Sequence, residues 1–361
     1  MKIFLLKLLD KTLGRLIVRA LPAFKIPVPA DIKTNKILLI RPGGIGDAVL
    51  LIPAINDLAK SFPKAKIFIL CEKRNVEIFK LLNSITGIYV FDSGLDILKV
   101  LQNNYDVVID TEQWHNLSAF VAYTAKSPVK IGFATNNRGK LFNIKIDYSH
   151  DDYEVYSFLN LINPLTAKDH TFRKDTPFLL SEIKLPYFIK YQIKNKSKGI
   201  VSIFPGATVN ERRWDINNFA DVAKDLQASG YTVVLLGGAQ DKSRAARIHN
   251  AAPGAIIAAA RTSLEETAGI IKHSKLLITA DSGLMHMAYA LGTPTISLFG
   301  AGIEKKWAPI GAGHVVINKN LPCSPCTKFG YTPWCRKKVE CLSAISAGEV
   351  LEAAATILAR S

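Results

Sequence analysis

The chain has 361 residues, 48% of them apolar and 21% charged, which suits a soluble globular protein with room for two domains and no apolar run long enough to span a membrane. Its 46 Lys and Arg against 30 Asp and Glu leave +16, a balance that points to a polyanionic partner such as nucleic acid, an acidic membrane surface or a phosphorylated substrate. Of five cysteines, four crowd into residues 323–341, which argues against a secreted disulfide framework and for a reducing cytoplasm.

The first element is an amphipathic segment over residues 1–34. Ile3, Leu6, Leu9, Leu13, Ile17 and Leu21 share one helical face, and the basic residues lie mostly elsewhere. Lys7, Asp10, Lys11 and Arg15 interrupt any signal-peptide core. Two readings stay open: a helix lying on an anionic membrane, or one packed against the protein's own or a partner's surface.

From residue 36 short β-rich runs alternate with helical patterns, the rhythm of parallel βαβ units. Strands are predicted at 36–40, 66–71, 88–91, 106–110 and 129–133, with helices near 47–60, 73–83, 94–103 and 114–125. The first strand leads into RPGGIGDAVLLIP, whose Gly44 and Gly46 make a tight turn. Val49 stands where a dinucleotide fingerprint needs Gly or Ala, and the chain has no GK[ST], so neither an NAD site nor a P-loop is supported. Asp47 then falls at or near a helix N-terminus, where capping is the plainest use for it. The fourth strand runs into DTEQWHN, with Glu112, Gln113 and Trp114 beyond its end.

The rhythm loosens over 134–198, and 185–199 reads as a linker. It resumes with strands at 200–206, 231–238, 255–259, 275–281 and 293–300, and helices near 215–229, 240–251, 263–272 and 283–291. Two doubly wound halves follow, 35–190 and 191–342, with a helix over 343–361 and ligands expected at the carboxyl ends of strands in the cleft between halves. In FPGATVNERRWD, Thr208 and Arg212 offer a hydroxyl and a guanidinium suited to a diphosphate. LLGGAQD places Asp241 where a carboxylate could take ribose hydroxyls. In ADSGLMHM, Asp281, Ser282, Gly283, Leu284 and His286 open a helix whose free N–H groups can hold phosphate oxygens.

The spacing Cys323-x2-Cys326-x8-Cys335-x5-Cys341 is that of a small metal knuckle, equally suited to zinc or iron. Reduced, buried cysteines or local disulfides are the alternatives. With all four positions filled by protein, such a metal would be structural.

Taken together, RPGGIGDAVLLIPAI, FPGATVNERRWD, LLGGAQD and ADSGLMHMAYALGTPTISLFG resemble, in order, the motifs of the family 9 glycosyltransferases, typified by ADP-heptose:lipopolysaccharide heptosyltransferases. The likeness covers roughly residues 36–358. It implies a GT-B fold, with two facing Rossmann-like domains, and an inverting transfer of heptose from ADP-heptose to a lipopolysaccharide-core-type acceptor at the inner face of the inner membrane. It implies that Asp47 is the general base and that Arg212 neutralises the leaving diphosphate. Thr208, Asp281, Ser282, Gly283, Leu284 and His286 would hold the donor, with Asp241 on its ribose. Gly44, Gly46, Glu112, Gln113 and Trp114 would face the acceptor. The chain has no D-x-D, so no catalytic metal is expected. DTEQWHN departs from the family's usual D-x-Q-G run, and the four-cysteine segment and basic N-terminus are additions; four-cysteine fingers occur in a branch that glycosylates autotransporter proteins. A non-catalytic sugar-nucleotide or glycolipid binder on the same scaffold, or a member acting on a protein acceptor, are the alternatives. Nucleic-acid binding rests on charge alone, with no aromatic–basic platform to support it.

Overall fold

A computed structural model describes residues 10–166, 172–174, 176–179, 182–193, 197–328 and 331–360. The runs rich in Ile, Val and Leu form strands because a parallel sheet covered on both faces buries every side chain, so the apolar run is continuous rather than alternating. In the first half these are β1 (Lys36–Arg41), β2 (Lys66–Cys71), β3 (Ile85–Val90), β4 (Val107–Asp110), β5 (Val129–Phe133) and β6 (Ile144–Ile146). In the second half they are β7 (Ile200–Phe204), β8 (Thr232–Leu235), β9 (Ile256–Ile257), β10 (Ser274–Ala280), β11 (Thr295–Phe299) and β12 (His314–Asn318). Each set makes one six-stranded sheet, in the orders β3-β2-β1-β4-β5-β6 and β12-β11-β10-β7-β8-β9. Counted within its own half, each is the 3-2-1-4-5-6 order of a doubly wound fold, and all pairings are parallel.

The chain divides into two units, Met1–Phe172 and Arg173–Ser361. The divide falls before the expected linker because residues 177–184 already belong to the second unit. Phe178 and Leu179 donate backbone hydrogen bonds to the Ala290 carbonyl at 2.9 Å, and Lys184 lies against Gly269. Residues 187–192 of that stretch are helical, and 194–196 lie outside the described residues.

Two edge strands, β6 and β12, and the helix Glu154–Thr166 were not predicted. β6 is a short Ile-Lys-Ile, β12 is a half-buried edge strand with only the three apolar residues Val315, Val316 and Ile317, and Pro164 lies inside the helix. The helix predicted over 47–60 is two, Ile45–Leu50 and Ile52–Ser61, joined at Leu51 with a proline in the first turn of the second. The helix Ala347–Leu358 opens with a Ser346–Glu349 capping box and buries Val350, Ala354 and Ile357 in the core of the second unit.

The N-terminal helical turns, Asp10–Gly14 and Arg15–Ala20, dock on their own unit. Asp10 accepts hydrogen bonds from the amides of Asn116 and Leu117 at 2.8 and 2.7 Å, capping the helix Asn116–Thr124 from outside, and Val18 is buried in the core. Leu13 and Leu16 remain 51% and 62% exposed. Ile3, Leu6 and Leu9 lie outside the described residues.

Candidate active site

In the first unit the site grows from the carboxyl ends of β1 and β4. Gly43 turns the chain at φ +119°, and Gly44 is the N-cap residue of Ile45–Leu50, with no side-chain cap. Asp47 therefore stands in the helix's first turn without capping it. A Cβ on Gly43 would lie 3.2 Å from Arg41 Nη2 and 3.5 Å from Asp47 Oδ2, so the glycine keeps open the space those two groups share. Gly44 makes no such demand, since its Cβ would meet only ordinary contacts, 3.8 Å from Asp47 Oδ2. The Gly43 amide donates to Glu72 Oε1 at 3.1 Å. The turn is therefore flanked by two carboxylates, Asp47 and Glu72, with the Arg41 guanidinium beneath it.

Beneath this turn lies a buried network of charges. Arg41, 1% exposed, donates to the carbonyls of Pro42 and Thr111 and to Glu112 Oε2, each at 2.8 Å, and its guanidinium lies 5.5 Å from the Phe158 ring. Burial opposes its charge, yet Glu112, Asp47, Glu154 and Asp110 together hold it above its ordinary pKa. Glu112 is likewise desolvated, but Arg41, His115 and Arg138 outweigh this and hold its carboxyl at about 2. The amides of Gln113 and Trp114 donate to Glu112 Oε1 at 3.1 and 3.0 Å. Arg138, fully buried, pairs with Asp110 and donates to the Glu112 carbonyl. Burial pushes the Asp110 carboxyl up, against the pull of Arg138. Gln113 Nε2 reaches Glu154 Oε1 at 3.4 Å, and Tyr148 donates to Glu154 Oε2 at 2.7 Å. Of the three acceptor-side candidates here, Glu112 and Gln113 are thus buried supports, and Trp114, 44% exposed, is the one that reaches the surface.

The second unit separates two neighbouring arginines. Arg213 spends its guanidinium on the Ala207 carbonyl, at 2.9 and 3.1 Å, and on Asn210 Oδ1 at 2.6 Å, so it builds the loop after β7. Arg212 instead reaches Asp281 at the end of β10, with Nη1 2.9 Å from Oδ2, and lies 5.4 Å from the Trp307 ring. This ion pair leaves work undone: Arg212 Nε and Asp281 Oδ2 are both buried without a hydrogen-bond partner. The short Nη1–Oδ2 separation is an electrostatic contact without hydrogen-bond alignment. Ser282 caps the helix Gly283–Leu291 by accepting from the Met285 amide at 3.3 Å, and the other first-turn amides have no intrahelical acceptor. A guanidinium with an unspent N–H thus lies close to a helix N-terminus whose first amides are also without acceptors.

The remaining donor candidates divide. Leu284 and His286 are buried on that helix, 7% and 5% exposed, and Thr208 is exposed on its loop. Asp241 is 1% exposed: its Oδ2 accepts from the Gly238 amide at 3.0 Å, and a Cβ on Gly206 would collide with its Oδ1. Burial pushes its carboxyl up. It locks the turn after β8 and offers no exposed face to a ribose. Two neighbours were not anticipated: Trp307 under Arg212, and Gly302, where any Cβ would strike Asp281 Oδ2. A glycine three residues beyond the end of β11 was the available signal for the second; Trp307 had none.

All four clustered cysteines are free thiols. Burial raises the pKa of Cys326 and of Cys341, and each is raised further by the other thiols of the cluster, so the group lies within electrostatic reach of itself. Among the described residues, no three His, Cys, Asp or Glu side chains are drawn together as a metal cage.

Each of the two doubly wound units thus carries charged side chains at the carboxyl end of its sheet, Asp47 and Arg41 in the first and Arg212 and Asp281 in the second. Residues 96–332 match the family model of glycosyltransferase family 9 (heptosyltransferase), and the chain belongs to that family, a family of glycosyltransferase enzymes. The match spans Glu112 through Thr327 and does not include the Asp47 turn. The chain is 28% identical over 289 residues to lipopolysaccharide heptosyltransferase 3 of Escherichia coli, covering 73% of this chain and 83% of that protein. In fold it is similar to the family 9 glycosyl transferase of Veillonella parvula DSM 2008, at TM-score 0.74 and 20% identity over 94% and 99% of the two chains. It is also similar to the E. coli ADP-heptose lps heptosyltransferase II, at TM-score 0.72 and 23% identity over 90% and 99%.

Proposed function

We propose that this enzyme transfers heptose from ADP-heptose to a lipopolysaccharide-core-type acceptor with inversion at the anomeric carbon. The observation that carries the donor half is the Arg212–Asp281 pair at the mouth of the helix Gly283–Leu291, with a buried guanidinium N–H still unspent. In this reading that N–H and the first-turn amides of the helix take the diphosphate and stabilise the ADP that leaves. Asp47 accepts the proton of the acceptor hydroxyl as it attacks. What supports Asp47 is its place in the first turn of its helix, uncapping and half-buried, above a network whose other carboxylates are already engaged. Trp114 offers the acceptor an exposed ring, and Glu112 and Gln113 hold the loop that carries it.

The same reading seats the protein peripherally on the cytoplasmic, anionic face of the inner membrane. Leu13 and Leu16 are exposed on the N-terminal helical turns together with Lys11, Arg15 and Arg19. Each basic residue near an anionic surface contributes about 1 kcal/mol. Among the described residues no helix is long and apolar enough to cross a membrane. Cys323, Cys326, Cys335 and Cys341 would hold a structural zinc or iron as thiolates, a donor set whose mutual repulsion a divalent ion relieves. Such an ion would order the segment and take no part in the transfer.

The test is a donor screen with purified enzyme and truncated lipopolysaccharide core, offering ADP-, UDP- and GDP-sugars. ADP-heptose is expected to be the productive donor and to give the inverted anomer by NMR. Productive transfer from a UDP- or GDP-sugar only would refute the donor assignment, and donor binding with no turnover on any acceptor would favour a non-catalytic binder.

A further inference from the structure

The cysteine-rich segment does more than lie beside the donor site. Ser324 donates to the Gly300 carbonyl at the end of β11, and Cys341 is seated on the same residue, where a Cβ would come within 2.6 Å of Sγ. The Thr327 amide donates to the Ala301 carbonyl at 2.9 Å. Gly302, next along, is pressed on Asp281, which pairs with Arg212. The circuit closes when Arg212 Nη2 donates to Thr327 Oγ1 at 3.4 Å. Thr327 is 7% exposed, and its hydroxyl is also held 3.0 Å from Thr332 Oγ1, so it has little freedom to turn away.

We propose that Thr327 is a positioning residue for Arg212, through which the four-cysteine segment sets the enzyme's affinity for the donor's diphosphate. The inference rests on the reading of Arg212 as the diphosphate-binding group. The guanidinium is fixed from three directions by three parts of the chain: Asp281 on Nη1, Thr327 on Nη2 and the Trp307 ring at its face. With Asp281 at Nη1 and Thr327 at Nη2, the guanidinium is held in place while Nε and the second N–H of Nη2 have no protein acceptor. An arginine held in one orientation gives up less side-chain freedom when the anion binds, and this part of the affinity depends on Thr327.

The experiment is a double-mutant cycle on ADP binding, read by calorimetry with wild type, Thr327→Val, Arg212→Ala and the double variant. Thr327→Ser serves as the conservative rescue, and Thr327→Ala replaces Thr327→Val should the latter not fold. Thr327→Val is expected to weaken ADP binding about three- to ten-fold, the worth of one hydrogen bond, while Thr327→Ser binds like wild type. In the Arg212→Ala background the Thr327 change should have no further effect, because the group it positions is gone. The proposal is overturned, with the donor reading intact, if Arg212→Ala weakens binding but Thr327→Val binds like wild type or adds its full effect in both backgrounds. Wild-type ADP binding by Arg212→Ala would overturn both.

Discussion

The two halves share one strand order and one place for chemistry, the carboxyl end of the sheet, yet they treat charge in opposite ways. In the first unit Arg41 and Arg138 are consumed by Glu112, Asp110 and backbone carbonyls in a buried network, and Asp47 stands beside it without a capping task. In the second unit one arginine of a neighbouring pair is consumed by its loop, and the other keeps an unspent N–H at a helix mouth. The same doubly wound frame thus presents a carboxylate without a capping task at one strand end and a guanidinium with an unspent N–H at the other. The lesson is that in such folds the side chains packed under the turn, more than its glycines, set the charge that the turn presents.

That contrast can be broken at several points. Arg138→Leu leaves Asp110 ionisable and buried without its partner and is expected to cost about 3–5 kcal/mol in denaturant unfolding; an unchanged midpoint would show that the network does not bear on stability. Arg212→Ala is expected to lower kcat by about 10²–10³ while the unfolding midpoint stays near wild type; a large loss of stability without a rate effect would make the arginine structural, like its neighbour. The Glu112 carboxyl, held at about 2 against an ordinary 4.5, contributes stability that is fully present above 4.5 and lost as pH falls toward 2. Wild type should therefore lose unfolding free energy through that window, and Glu112→Gln should lack this component; parallel pH profiles would contradict the pairing. Asp10→Ala removes the outside cap on Asn116–Thr124 and is expected to cost about 1 kcal/mol, with faster amide exchange over residues 10–20. Unaltered exchange there would mean that Asp10 does not tether the N-terminal turns.

How much of this was legible depended on distance along the chain. The apolar runs of β1, β2, β4 and β7 declared themselves, as did ADSGLMHM, whose serine cap and helix are local. Arg41 was visible only as a residue before a proline, because its partner Glu112 is 71 positions away. The surroundings of Asp241 were hidden for a related reason. A carboxylate after a strand-end Gly-Gly reads as a ligand group, but Gly206, brought over by β7, closes the space around it. β6 is a three-residue edge strand with a lysine at its centre, and β12 is an edge strand whose short Val315-Val316-Ile317 run stands between polar residues. Thr327 sits in a segment that drew attention for its cysteines, and nothing in the spacing of four thiols points to the hydroxyl between them.

In the proposed reaction Asp47 takes the proton while the second unit holds the donor. This division of roles is tested most directly by measuring transfer and ADP affinity together for Asp47→Asn. A fall in kcat of about 10²–10⁴, the usual worth of a positioned general base, is expected with ADP binding unchanged. Turnover at the wild-type rate, or a loss of ADP affinity that accounts for the whole effect, would contradict it.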